Sequence, residues 1–147
     1  MKIQQVSVFV ENKPGRLRAA CDVLAGAGIN IVTLSLADTQ QYGILRLIVR
    51  QWQRAREVLE GAGFVVKITE VLAVEVADHP GGLNEVLRVI EQAGVNVEYM
   101  YAFTEKVADK AVLVLRLDDP DAAVRALTDS QVNVISQVDL YQRLDGG

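Results

Sequence analysis

Apolar residues recur along this chain with two alternating periods. Val6, Val8 and Val10 alternate with Ser7 and Phe9, the pattern of a strand with two unlike faces. Leu17, Ala20, Cys21 and Leu24 then fall at i, i+3, i+4 and i+7 on one helical face, with Pro14 placed as first helical residue and Gly28 as a left-handed stop. Residues 29–37 and 43–50 are β-rich and flank the polar stretch Asp38–Tyr42, which predicts a hairpin. Ala55, Val58, Leu59 and Ala62 form a second helical face ended by Gly61 and Gly63, and residues 64–70 read as a fourth strand. The predicted order is β-α-β-β-α-β.

The pattern then repeats. Residues 11–31, ENKPGRLRAACDVLAGAGINI, align with residues 77–97, ADHPGGLNEVLRVIEQAGVNV, at an offset of 66. Leu72, Val74 and Val76 open the second copy, and Leu83, Val86, Leu87 and Ile90 form its first helical face, stopped by Gly94. Residues 95–103 and 111–117 read as the hairpin, Asp119 and Pro120 as N-cap and first residue of the last helix, and 132–141 as the final strand. Past the hairpin the best offset is 68, which puts two extra residues near Glu105–Lys110.

The expected fold is therefore α+β: two ferredoxin-like βαββαβ units, residues 1–70 and 71–147, each a four-stranded antiparallel sheet with both helices on one face. Residues 64–77 contain no Gly or Pro, so a short connection rather than a flexible linker should join the units. Leu45, Leu47 and Val49 should face the helices. Phe9, Ile44, Ile48, Val112 and Val114 should face away from them, on a surface apolar enough to call for domain or subunit packing. Units of this size are marginal alone, so a homo-oligomer, most simply a dimer, is expected.

Composition narrows the function. Half the residues are hydrophobic and only 5% aromatic, which describes an aliphatic core. A net charge of −4 argues against a nucleic-acid partner. No apolar run is long enough to span a bilayer, and the alternating N-terminus is unlike a signal peptide. The single cysteine, Cys21, cannot form an internal disulfide and falls on a core-facing helical position. These features read as a cytoplasmic protein without membrane association.

Candidate chemistry concentrates at the β1–α1 turns, Asn12-Lys13-Pro14-Gly15 and Asp78-His79-Pro80-Gly81-Gly82. Each brings glycine amides to a helix N-terminus, whose unpaired N–H groups and dipole accept a carboxylate or phosphate. The structural alternative is an ordinary helix entry with Asn or Asp as cap. Asn30 and Asn96 follow the helix-stopping glycines in both copies; they either reach a ligand at the sheet edge or satisfy local backbone. His79, the only histidine, has neither the partners of a general base nor those of a metal site, so it reads as a ligand contact or a solvated side chain. Tyr99, Tyr101 and Phe103 alternate where the first copy has Thr33, Ser35 and Ala37; an interface, a pocket wall or core are the alternatives. No nucleophile–base set, metal cluster, cofactor-binding loop or paired carboxylates can be argued, which points away from an enzyme and from any cofactor.

The recurring pattern of apolar strand, N/D-x-P-G-x-L, helix and A-G-[IV]-N-[IV] resembles the ACT domain, and its two copies cover essentially the whole chain. The resemblance implies a small stand-alone tandem-ACT protein that senses a small molecule, usually an amino acid, at a cleft between adjacent units. Family contacts from the first loop and the second-strand asparagine carry over to Asn12, Gly15 and Asn30, and to Asp78, Gly81 and Asn96. Serine-binding members also use a histidine two residues before the loop Asn. That position is Val10 and Val76 here, so serine specificity is not implied. The expected function is non-catalytic amino-acid binding with a regulatory role. The alternative is a ligand-free interaction module or regulatory subunit that partners an enzyme of amino-acid metabolism.

Overall fold

The structure is a computed structural model and describes residues 1–38, 41–103 and 110–145. In chain order its elements are β1 (Ile3–Glu11), α1 (Arg16–Gly26), β2 (Thr33–Asp38), β3 (Tyr42–Ile48), α2 (Trp52–Gly61), β4 (Val65–Ala77), α3 (Gly82–Gln92), β5 (Val97–Ala102), β6 (Lys110–Leu117), α4 (Pro120–Asp129), β7 (Val134–Ile135) and α5 (Gln137–Asp145). Contacts divide the chain into Gln4–Thr69 and a second unit of Glu70–Gly147 together with Met1–Ile3. Both are ferredoxin-like. β4 is one unbroken strand that serves as last strand of the first unit and first strand of the second, because residues 65–77 carry no breaker. Separate strands at 64–70 and 72–76 are thus merged into one.

In the first unit β1 lies between β3 and β4, and β2 pairs antiparallel with β3. Val6, Val8 and Val10 of β1 and Leu45, Leu47 and Val49 pack under Ala20, Leu24, Ala55 and Leu59 of the two helices, as their periodicity requires. The opposite face carries Gln5, Ser7 and Ile48, all buried, and Gln5 Nε2 donates to Ser7 Oγ at 3.2 Å. Phe9, expected on that face, is 38% exposed.

The second unit has strand order β7-β4-β6-β5. Leu72, Val74, Val76, Leu115 and Leu117 pack under Val86, Ile90, Ala123 and Leu127. Here the expected final strand, residues 132–141, is overturned. β7 is only two residues long, and the chain turns into α5. The cause is local: Ser136 Oγ accepts from the Asp139 N–H at 3.1 Å, and the Leu140 N–H donates to the Ser136 carbonyl, so Ser136 caps a helix. α5 lies over the helix-free face of this sheet. Val71, Ala73, Val112 and Val114 of that face are buried, Leu140 is 2% exposed, and Arg143 ion-pairs with Glu75.

All four of these paired helices end alike. Ile29, Phe64, Val95 and Val132 each donate to the carbonyl five residues back, after a left-handed residue at 28, 63, 94 or 131. Three of those residues are glycine; the fourth is Gln131, at φ 62°. Asp119 caps α4 by accepting from the Ala122 N–H at 3.1 Å, with Pro120 following it. The expected longer hairpin loop near Glu105–Lys110 lies almost wholly outside the described residues.

Candidate functional site

The two β-to-helix turns are built on the same hydrogen bonds. Lys13 donates to the Glu11 carbonyl and His79 to Ala77; Arg16 donates to Lys13 and Gly82 to His79; Ala19 donates to Gly15 and Glu85 to Gly81. Gly15 and Gly81 are the N-caps, at φ 86° and 88°, a left-handed conformation that a side chain strains. As glycines, neither N-cap residue has a side chain to cap its helix. This corrects two readings of the sequence. The N-cap position belongs to Gly15 and Gly81 and not to Asn12 and Asp78, and Pro14 precedes the N-cap instead of opening the helix. The physical reason is that the left-handed glycine supplies the chain reversal itself.

Asn12, Lys13, Pro14, Gly15, Asp78, His79, Pro80 and Gly81 are all exposed, and only Gly82 is buried. Asn12 donates its backbone N–H to Gln41, and with Glu11, Lys13, Gln41 and Tyr42 it lines an open hollow of about 310 Å³ at the tip of the β2–β3 hairpin. Lys13 pairs with Glu11 at 3.3 Å, a solvated contact of little energetic weight. His79 Nδ1 donates to the Pro80 carbonyl at 2.9 Å.

Asn30 and Asn96 are not gathered with the turns of their own units. Asp38 pairs with Gly43, which pairs with Val10, so the Asn12 turn sits at the far end of β2 from Asn30. The six residues of β2 alone span about 17 Å at roughly 3.3 Å per residue. The two asparagines also differ. The Asn96 N–H donates to Asp118 Oδ1 at 2.9 Å and its carbonyl accepts from the Asp118 N–H at 3.2 Å. The aligned residue in the first unit is Arg50.

The aromatic stripe is not core beneath the helices. Tyr99 pairs with Arg116 and Tyr101 with Val114, so both lie on the helix-free face, half-buried, and Phe103 continues the row by donating its N–H to Val112. That face also holds Glu75. Burial works to raise its carboxyl pKa, but hydrogen bonds from Asn133 and Arg143 and the charges of Arg143 and Lys110 outweigh burial and hold it below the ordinary range.

Sequence reasoning missed Arg16 and Glu75. The Arg16 guanidinium lies over the Phe64 ring at 5.1 Å, and its Nε is buried without a hydrogen-bond partner. The repeat alignment held a signal for both, since Arg16 aligns with Gly82 and Phe9 with Glu75.

The fold and its turns define a pair of ACT units, and the family comparison agrees: residues 1–144 match the model described as an ACT domain pair. The chain belongs to that family. It is similar, at 36% identity over 96% of each chain and a TM-score of 0.89, to protein BT0572 from Bacteroides thetaiotaomicron. At 17% identity it shares its fold with the ligand-free regulatory subunit of aspartate kinase from Thermus thermophilus, TM-score 0.58, covering 86% of this chain and 91% of that one. The regulatory subunit of aspartate kinase from Thermus flavus is alike at 17% identity and TM-score 0.60, over 86% and 90% of the two chains. A search of curated proteins finds no match. No helix among the described residues is long and apolar enough to cross a membrane.

Proposed function

We propose that this protein is a non-catalytic, cytoplasmic regulator that binds an amino acid through its two β-to-helix turns and acts as a homo-oligomer, most simply a dimer. The observation that carries the reading is the turn itself. The same three backbone hydrogen bonds and the same left-handed N-cap glycine recur 66 residues apart, although the side chains differ. A left-handed glycine at the cap presents bare amides to an anion without a Cβ in the way. Asn30 and Asn96 are the second contact. They lie a strand length from their own turns, so one ligand meets a turn and an asparagine only if the two come from different copies of the unit. The fold shared with regulatory subunits of aspartate kinase supports a regulatory role beside an enzyme partner.

A thermal-shift screen of the twenty amino acids tests the proposal. Saturating a ligand at about 100 times its dissociation constant adds about 2.7 kcal/mol, an easily read rise in Tm. Gly15→Val, Gly81→Val and the Asn30→Ala or Asn96→Ala variants should then weaken binding. A second reading, a ligand-free interaction module, is favoured by Leu34 and Leu36, which stand 49% and 51% exposed on the edge strand β2. Absence of any amino-acid binding, with capture of an enzyme partner that Leu34→Lys abolishes, would select it.

A further inference from the structure

A cleft of about 180 Å³ in the second unit lies where the end of β4, the first turn of α3, the start of β6 and the α4–β7 connection meet. Val86 and Val132 supply its apolar lining, and Glu75, Glu85 and Lys110 its charged lining. Gly82 keeps it open. No side chain fits there, because a Cβ on Gly82 would run into the Ala77 carbonyl oxygen.

The repeat shows what stands at the corresponding place in the first unit. Gly82 aligns with Arg16 and Glu85 with Ala19 at the offset of 66, and Val132 aligns with Phe64 at the offset of 68. In the first unit the Arg16 guanidinium stacks on Phe64 at 5.1 Å, with its Nε buried and unpartnered. The second unit has neither cation nor ring at these positions, and it carries a carboxylate at Glu85. Glu75 is already held by Arg143 and by Lys110, the latter at 3.6 Å. Glu85 has no ion-pair partner among the described residues, so its charge is available to an incoming cation.

We propose that this cleft binds a small molecule with a guanidinium head, which takes the place that Arg16 takes in the first unit. Glu85 receives the guanidinium, whose planar fork matches a carboxylate. Val86 and Val132 hold an aliphatic stem. The Lys110 ammonium, 54% exposed at the rim, receives a carboxylate on the same ligand. The cleft is smaller than the roughly 300–1,000 Å³ of sites for drug-sized ligands, so the ligand is of the size of one amino acid. The cleft shares Gly82 with the second turn, but the inference rests on Glu85 and Val132, which the turn-and-asparagine reading does not use.

The test is an amide NMR titration of the full chain with L-arginine, beside agmatine, which lacks the carboxylate, and L-norvaline, which lacks the guanidinium. Arginine should give saturable shifts at Glu75, Glu85 and Val132, agmatine should bind more weakly, and norvaline should not bind. Glu85→Gln, a surface change that leaves the core intact, should weaken arginine binding at least about tenfold, as expected for loss of a charge-assisted hydrogen bond. Val132→Phe, which restores the first unit's aromatic residue, should do the same. Equal binding of norvaline, shifts confined to the Asn12–Gly15 turn, an unaffected Glu85→Gln, or no saturable shift at tens of millimolar would each overturn the proposal. Asn96→Ala and Gly15→Val, both outside the cleft, should leave it unchanged, which separates its failure from that of the turn reading.

Discussion

The two units begin from one plan and diverge where the first helix meets the end of the sheet. The first unit closes that corner with Arg16 stacked on Phe64. The second has Gly82 and Val132 there and leaves a cleft. They diverge again on the helix-free face, where the second unit is crossed by α5 and the first is lined by Gln5, Ser7 and Ile48. Backbone geometry is what both copies keep: caps, left-handed residues and turn hydrogen bonds coincide. Hydrogen-bonded turns tolerate few arrangements, whereas side chains that fill a corner can be exchanged once a neighbour compensates.

The difference at the corner can be broken directly. Gly82→Ala should destabilise the second unit by about 3 kcal/mol, because the new Cβ meets the Ala77 backbone, which cannot rotate away. Chemical denaturation would read this as a lower midpoint at unchanged slope. The corresponding Arg16→Ala in the first unit loses a partly buried cation–π contact and should cost only about 1 kcal/mol. Equal effects of the two changes would mean that the corners are not built differently.

The second contrast is α5. Leu140, 2% exposed, anchors it, so Leu140→Ala should cost about 2–3 kcal/mol and speed hydrogen exchange in α5 before the rest of the unit. Ser136→Ala should cost about 1 kcal/mol through loss of the cap.

A smaller effect tests the shared caps. Gln131 holds a left-handed conformation that the first unit gives to Gly63. Gln131→Gly should stabilise by about 1 kcal/mol and Gly63→Gln should destabilise by a similar amount, both read by thermal melts.

The smallest effect is electrostatic. The Glu75 carboxyl, facing Arg143 and Lys110, with Glu85 across the cleft, is held below its ordinary value of 4.5. A lowered folded value contributes stability above pH 4.5 that is lost as pH falls through the folded value. The helicity of α5 should therefore fall first on acidification, and Glu75→Gln should remove that pH dependence.

Much of this was legible in the chain. Val6, Val8 and Val10 announced β1, Asp119–Pro120 announced the start of α4, and Gly28 and Gly94 announced their caps, because each signal acts within a few residues. The end of the chain departs from its strand-like pattern for a reason equally local. Val132 and Val134 suggest a strand, and the Ser136-x-x-Asp139 cap cuts it short. The candidate site was legible as turns but not as a site. Asn12 and Asn30 follow similar signals in the sequence, and only strand register shows that a sheet's length separates them.

The repeat, the periodicities and the punctuation by Gly and Pro determined by themselves that there would be two βαββαβ units, because those properties depend on backbone sterics and on which face is apolar. Tertiary structure alone decided that Arg16 would lie on Phe64, that Gly82 would leave a cleft against Val132, and that α5 would reach Glu75. Each of these joins residues distant in sequence, through contacts that exist only once the sheets and helices have been brought together.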